Sequence, residues 1–235
     1  NGSGVTVGVI SDGIGGLASA IAAGDLPAST LTRDVTGKLI AVTGGVIATS
    51  FRADGDLEGK LGSSSGSEGT AMMEIVHDIA PGAQLRFANF NTDLEFNAAV
   101  DFLASVSDVV IDDISFSGGP YDQSSLVSSN TATELQRLSN PIRGYYTSVG
   151  NSALSHYEEP FASGGGCLAD GSTCHRFVGT SDTTDAFNLG AIVANPILVP
   201  AGGTGVVELT WDDTFGSATS DYDLYLIDEL TLEIV

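Results

Sequence analysis

From residue 5 to residue 149 the chain alternates short apolar, β-prone runs with stretches of helical periodicity, and this alternation restricts the fold more than any other feature. Residues 5–11 (VTVGVIS) read as a buried strand, and residues 13–23 as a turn feeding a helix that stops at Gly24-Asp25-Leu26-Pro27. Residues 30–62 carry β-prone pieces such as LIAVT at 39–43 and read as strands and loops. A helix opening at Glu68 and ending at Pro81-Gly82 is followed by a strand at 84–90, a helix at 93–105, a strand at 109–116, a helix at 124–138 and a strand at 145–149. Such an order predicts a three-layer α/β fold, a parallel sheet with helices on both faces. In sheets of this kind sites form beyond the carboxyl ends of the strands. Asp12, Ser115, Phe116, Ser117, Gly118, Gly119 and Asn151 stand at such ends, and Glu68 opens a helix.

The Glu68 helix is the most informative segment. At 3.6 residues per turn Ala71, Met72, Ile75, Val76 and Ile79 form one apolar stripe, with Glu68 projecting into it. His77 falls on the opposite side and is not expected to share a site with Glu68. A first-turn carboxylate complements the helix dipole, which is the structural reading of Glu68; a carboxyl on an apolar face is the functional one.

Composition removes several classes of function. Thirty acidic residues against eight basic ones give a net charge of −22, which disfavours nucleic acid and anionic membranes as partners. The same balance suits a protein adapted to high salt, where screening relieves self-repulsion. No apolar run approaches a membrane span. Cys167 and Cys174 bracket a turn-rich loop and are expected to form a local disulfide, which implies an oxidising, extracellular location.

From about Ala186 the texture changes. Segments such as GVVELTW at 205–211 and DYDLYLID at 221–228 alternate apolar and polar residues between Asp/Gly/Ser turns. They predict a partial antiparallel β-sandwich over 181–235, following an α/β domain at 1–180.

The motifs, taken in order, resemble the subtilisin-like serine peptidases. VTVGVISDG at 5–13 resembles that family's first strand with its catalytic aspartate, and EGTA at 68–71 its H-G-T-H helix opening. DIAPGA at 78–83 resembles the helix exit, ISFSGG at 114–119 the substrate-binding strand, and SVGNS at 148–152 the oxyanion motif. The resemblance covers roughly residues 4–161. It implies a subtilisin-like fold, a secreted endopeptidase activity on peptide or protein substrates, Asp12 and Glu68 as the acid–base pair, Asn151 as oxyanion donor, and Ser115 to Gly119 as the strand that pairs with substrate.

Three departures accompany it. The family pattern places the aspartate at Ser11, whereas the acid here is Asp12; a local bulge would restore its direction, and helix capping is its structural alternative. Glutamate replaces the general-base histidine, as in the sedolisins, but Met72 stands where those enzymes carry a second acid. The nucleophilic serine has no counterpart: Gly179-Thr180-Ser181 copies three letters of its motif but precedes no apolar helix, so the serine is expected beyond residue 235. A carboxylate can accept a serine proton only if burial or a like charge raises its pKa, and Glu68 facing Asp12 would have both. Two such groups share one proton, which predicts activity on the acid side. Asp112 and Asp113 are acids within a buried strand, read either with one of them hydrogen-bonded near that pair or as calcium ligands. The rival from a different class is a non-catalytic peptide- or surface-binding module on the same fold.

Overall fold

The computed structural model of the chain describes residues 1–59, 66–116, 120, 122–151, 156–166, 173–177, 197–228, 230, 231 and 233–235. They group into two compact units, residues 1–150 with 209–235 and residues 151–208. The first unit is α/β, and its seven-stranded sheet has the order β2-β3-β4-β5-β1-β6-β7. Strand β1 (Thr6–Ile10) lies inside it, between β5 (Gln84–Asn89) and β6 (Val109–Asp112), parallel to both. Strands β4 (Val46–Ser50) and β7 (Gly144–Thr147) extend the parallel part on either side. The antiparallel strands β2 (Ser29–Arg33) and β3 (Leu39–Gly44) complete one edge, which accounts for the mixed texture of residues 30–62.

Each face of the sheet carries its own core. Val7 and Val9 of β1 with Leu85 and Phe87 of β5 pack against Ile14, Leu17 of helix α1 (Leu17–Ala23) and Met73 of helix α2 (Glu68–Ile79). Ile10, Ala88 and Val110 face the other way, onto Phe96, Val100 and Leu103 of helix α3 (Asp93–Val106), with helix α4 (Leu126–Gln136) packed beside it. Burial on both faces is why the parallel strands read as continuous apolar runs rather than alternating ones. Full burial of a side chain the size of Phe87 or Leu103 contributes about 1.5–3 kcal/mol. Helix α3 starts at a capping box, Thr92 with Glu95, which satisfies two of its otherwise unpaired backbone donors.

Helix α2 begins and ends as its sequence predicts, but it is rolled about its axis. The buried residues are Gly69, Thr70 and Met73, flanked by Met72 and Val76, while Ala71, Ile75 and Ile79 face outward with Glu68. Ile75 is 61% exposed and Ile79 76% exposed. Gly69 explains the roll: a Cβ there would stand 2.4 Å from the Phe87 ring and 2.6 Å from the Gly13 carbonyl oxygen. The helix backbone rests on the sheet at its smallest residue, so the face that approaches closest is not the face with most apolar mass. Ser67 provides no side-chain cap to α2.

The second unit contains a two-stranded antiparallel sheet, β8 (Ser163–Gly166) with β9 (Thr173–His175). The expected domain step at 180/181 falls outside the described residues. The sandwich expected over 181–235 is not formed by the described part of that span, where pairing consists of one bridge, Ile227 to Ile234, and Trp211 meets Tyr222 edge to face at 5.5 Å. Alternation in sequence makes a sandwich only where two apolar faces cover one another; here Val206 remains 93% exposed and Leu230 91% exposed.

Candidate functional site

Strand parity and register assemble a site at the carboxyl edge of the first unit's sheet. Odd-numbered residues of β1 face the α1/α2 side, and Ser11 continues that series just past the strand, its N–H donating to the Ala88 carbonyl. Ile10 pairs with Asp112 across β1 and β6, so the next residues, Ser11 and Asp113, stand side by side. The Ser11 hydroxyl donates to Asp113 Oδ2 at 3.3 Å. Glu68, at the first position of α2, meets the same Asp113 carboxyl.

The chain segment that delivers Glu68 is pinned to the turn after β1. Gly15 N–H donates to the Gly66 carbonyl at 2.6 Å, and Gly69 N–H to the Gly13 carbonyl at 3.1 Å. Gly66 is in the left-handed region at φ +59, and a Cβ there would lie 2.0 Å from the Glu58 carbonyl oxygen. Behind it, Glu58 is buried in a two-pronged pair with Arg33, at 2.8 and 2.9 Å. The turn, the loop and the helix start therefore form one braced unit under Glu68.

Burial first, and the charge of Glu68 second, push the Asp113 carboxyl up from 3.8 to about 6; the Ser11 hydrogen bond opposes the rise. Asp113 Oδ1 is buried without a donor. Two carboxyls hydrogen-bond only when one of them carries a proton, and the Asp113 carboxyl, raised to about 6, is the one that keeps it on the acid side. Asp113 is half-buried while Glu68 is exposed, so the pair has one anchored member and one that reaches solvent. Chemically this is a proton-sharing carboxyl couple, suited to general acid–base work near mildly acidic pH.

Asp112, one residue earlier, points to the opposite face and does something else. Its Oδ1 accepts from Thr147 Oγ1 at 2.6 Å and from the Ile114 N–H at 3.0 Å, tying the end of β6 to the end of β7. The neighbouring Tyr145 phenol is held above its ordinary range by burial first and by the Asp112 carboxylate second.

The remaining expected site residues are placed as follows. The acid that meets Glu68 is Asp113. No bulge reorients Asp12, because β1 keeps its register to β5 through Ile10 and Ser11 stays on the ladder. Nor does it cap α1, whose N-cap is Gly16. Asp12 Oδ1 is buried without a donor, and its carbonyl accepts from Asn89 Nδ2 at 3.3 Å. Ser115 is exposed, whereas Phe116 turns into the α3-side core, 4.9 Å from the Phe96 ring and 6.3 Å from that of Phe90. Ser117, Gly118, Gly119, Ser181 and Cys167 lie outside the described residues. Asn151 is exposed and opens the second unit. Cys174 is in β9 and is not a free thiol. His77 is half-buried with an unpartnered Nδ1, and His175 holds the second unit together, its Nδ1 accepting from the Ala162 N–H at 3.1 Å beneath the Phe177 ring. No three His, Cys, Asp or Glu side chains converge as a metal site among the described residues.

The residue that sequence reasoning left unassigned is Asp113. The available signal was parity: of two consecutive acids ending a strand parallel to β1, one had to share the Ser11 face. Comparison of the chain with protein-family models, curated proteins and solved structures found no match in any of the three.

Proposed function

We propose that this chain carries the acid–base half of a secreted, subtilisin-like serine endopeptidase in which the base is a carboxyl couple, Glu68 with Asp113. The observation that supports it is the carboxyl–carboxyl contact at the carboxyl edge of a largely parallel sheet, where one member is braced by Ser11 and the other is open to solvent. Glu68 takes the proton of the serine hydroxyl as its oxygen bonds to the substrate carbonyl carbon. The tetrahedral oxyanion then collapses, the carbon–nitrogen bond breaks, and the leaving amine receives that proton from Glu68. Water repeats the sequence to release the acyl group. Asp113 stands against Glu68 and fills the role that the family resemblance gave to Asp12. Asn151 would donate to the oxyanion, a contribution of about 3 kcal/mol in sites of that kind. Ser11 is fully buried and committed to Asp113, so it is not the nucleophile; on this reading the serine lies beyond residue 235, because Gly179-Thr180-Ser181 precedes no apolar helix. Extracellular location and a Cys167–Cys174 disulfide belong to the same proposal.

A fluorophosphonate probe and a peptide library test it. Residues 1–235 alone should stay unlabelled. A chain extended downstream should be labelled on a serine and should cleave peptides best on the acid side of neutrality. Glu68→Gln should lower that cleavage by about 10²–10⁴-fold. Labelling at Ser181, or activity confined to alkaline pH and lost on His77→Ala instead, overturns the proposal; an extended chain that binds peptides without cleaving them supports the binding-module rival.

A further inference from the structure

Helix α2 is apolar on two faces. Met73 with Met72 and Val76 serves the core, and Ala71, Ile75 and Ile79 form a separate outward ridge at helical i, i+4, i+8 spacing, continuing the line of Glu68. A helix that only covered a sheet would carry polar residues along that ridge. Beside it, between α1 and α2, runs a groove of about 410 Å³ floored by Gly15, Gly16, Ala20 and Ala71. Among the described residues, its ionisable lining groups are Asp25 and Glu74. Asp78 extends the acidic margin along α2, between the exposed Ile75 and Ile79.

We propose that this ridge and groove form a docking surface for a basic amphipathic segment of another protein, its apolar side chains on Ile75 and Ile79 and its lysines or arginines against Asp25 and Glu74. Small side chains on the floor leave room for a segment to sit low, and the exposed isoleucines supply the apolar contact. Charge selects the occupant. With a net charge of −22, a second copy of this chain, a nucleic acid and an anionic membrane are all repelled, and among the described residues none that lines the groove is basic. The proposal does not depend on the catalytic reading, because no proton transfer at Glu68 enters it.

Fluorescence anisotropy with a labelled leucine–lysine amphipathic peptide, and with its leucine–glutamate counterpart, tests this on the intact chain. The basic peptide should bind and the acidic one should not. Ile75→Ser with Ile79→Ser should weaken binding by roughly tenfold or more. Asp25→Asn with Glu74→Gln should weaken it and flatten its dependence on salt, while Asp212→Asn, outside the groove, should leave it unchanged. All the altered side chains are at or near the surface, and thermal unfolding of each variant verifies that the fold is retained. The proposal fails if the basic peptide does not bind, if both peptides bind alike, or if the isoleucine and Asp212 variants behave alike, which marks diffuse attraction to an acidic protein. It also fails if the chain self-associates through the ridge, seen as dimers in sedimentation that Ile75→Ser abolishes.

Discussion

Asp112 and Asp113 are neighbours in sequence and end the same strand, yet the two faces of the sheet put them to opposite uses. On the α3/α4 face, Asp112 is surrounded by donors, the Thr147 hydroxyl and the Ile114 N–H, and acts as a latch between β6 and β7. On the α1/α2 face, Asp113 accepts from the Ser11 hydroxyl and its own backbone N–H, and has another carboxyl for company. A carboxylate met by donors is stabilised as an anion, whereas a carboxyl met by a carboxyl is stabilised by holding a proton. Adjacent acids thus become a structural tie and a proton store through nothing more than strand alternation.

Exchanging the acids one at a time would break this comparison, beginning with the largest effect. In a catalytically complete chain, Asp113→Asn should cost about 10²–10³-fold in kcat for peptide hydrolysis and remove the acid-side pH dependence. Asp112→Asn, which keeps an oxygen for its donors, should stay within about tenfold; equal losses would dissolve the distinction between the two faces. Stability should move in opposite directions. Asp112→Ala strands two donors at the β6–β7 junction and should lower the unfolding free energy by about 2–3 kcal/mol in urea denaturation. Asp113→Asn should raise stability at neutral pH, by about 1–2 kcal/mol once solvent screening at a half-buried site is allowed for.

The sign follows from linkage. The Asp113 carboxyl is raised from 3.8 to about 6 in the folded state, so between those values the folded chain keeps a proton that the unfolded chain has lost. Its contribution to stability is therefore greatest below the lower value and declines as pH rises through about 6. Asp113→Asn should flatten that decline, and denaturation curves at several pH values measure it. The smallest effect is expected at Asp12, where Asp12→Asn should alter hydrolysis by less than about twofold and stability by less than about 1 kcal/mol. Loss of activity as deep as that of Glu68→Gln would return Asp12 to the role the motif resemblance suggested.

Much of the first unit was legible because its signals are local. Apolar runs at β1, β5 and β6 and the Gly24 and Pro81-Gly82 stops each act within a few residues, and they place the elements to within a few positions. The candidate site was legible in Glu68 and in the idea that its partner is a second acid. The identity of that partner was not, because Ser11 and Asp113 are 102 residues apart and meet only through the β1–β6 register. The roll of α2 was hidden for a related reason. Periodicity weighs apolar mass, and the residue that sets the helix against the sheet is Gly69, which has none. In residues 205–228, alternation predicted strands, but strands need partners, and the described residues there find a single bridge, Ile227 to Ile234.

The sequence alone thus determined the α/β class, the order and type of the elements over residues 5–23 and 68–149, the strong negative charge and the presence of an acid at the mouth of α2, all consequences of short-range periodicity and composition. The tertiary structure decided which acid answers Glu68, which face of α2 is left bare, and which of two consecutive aspartates is a tie and which a proton store. Those outcomes depend on register and on close backbone approach between segments far apart in the chain, and no local pattern encodes either.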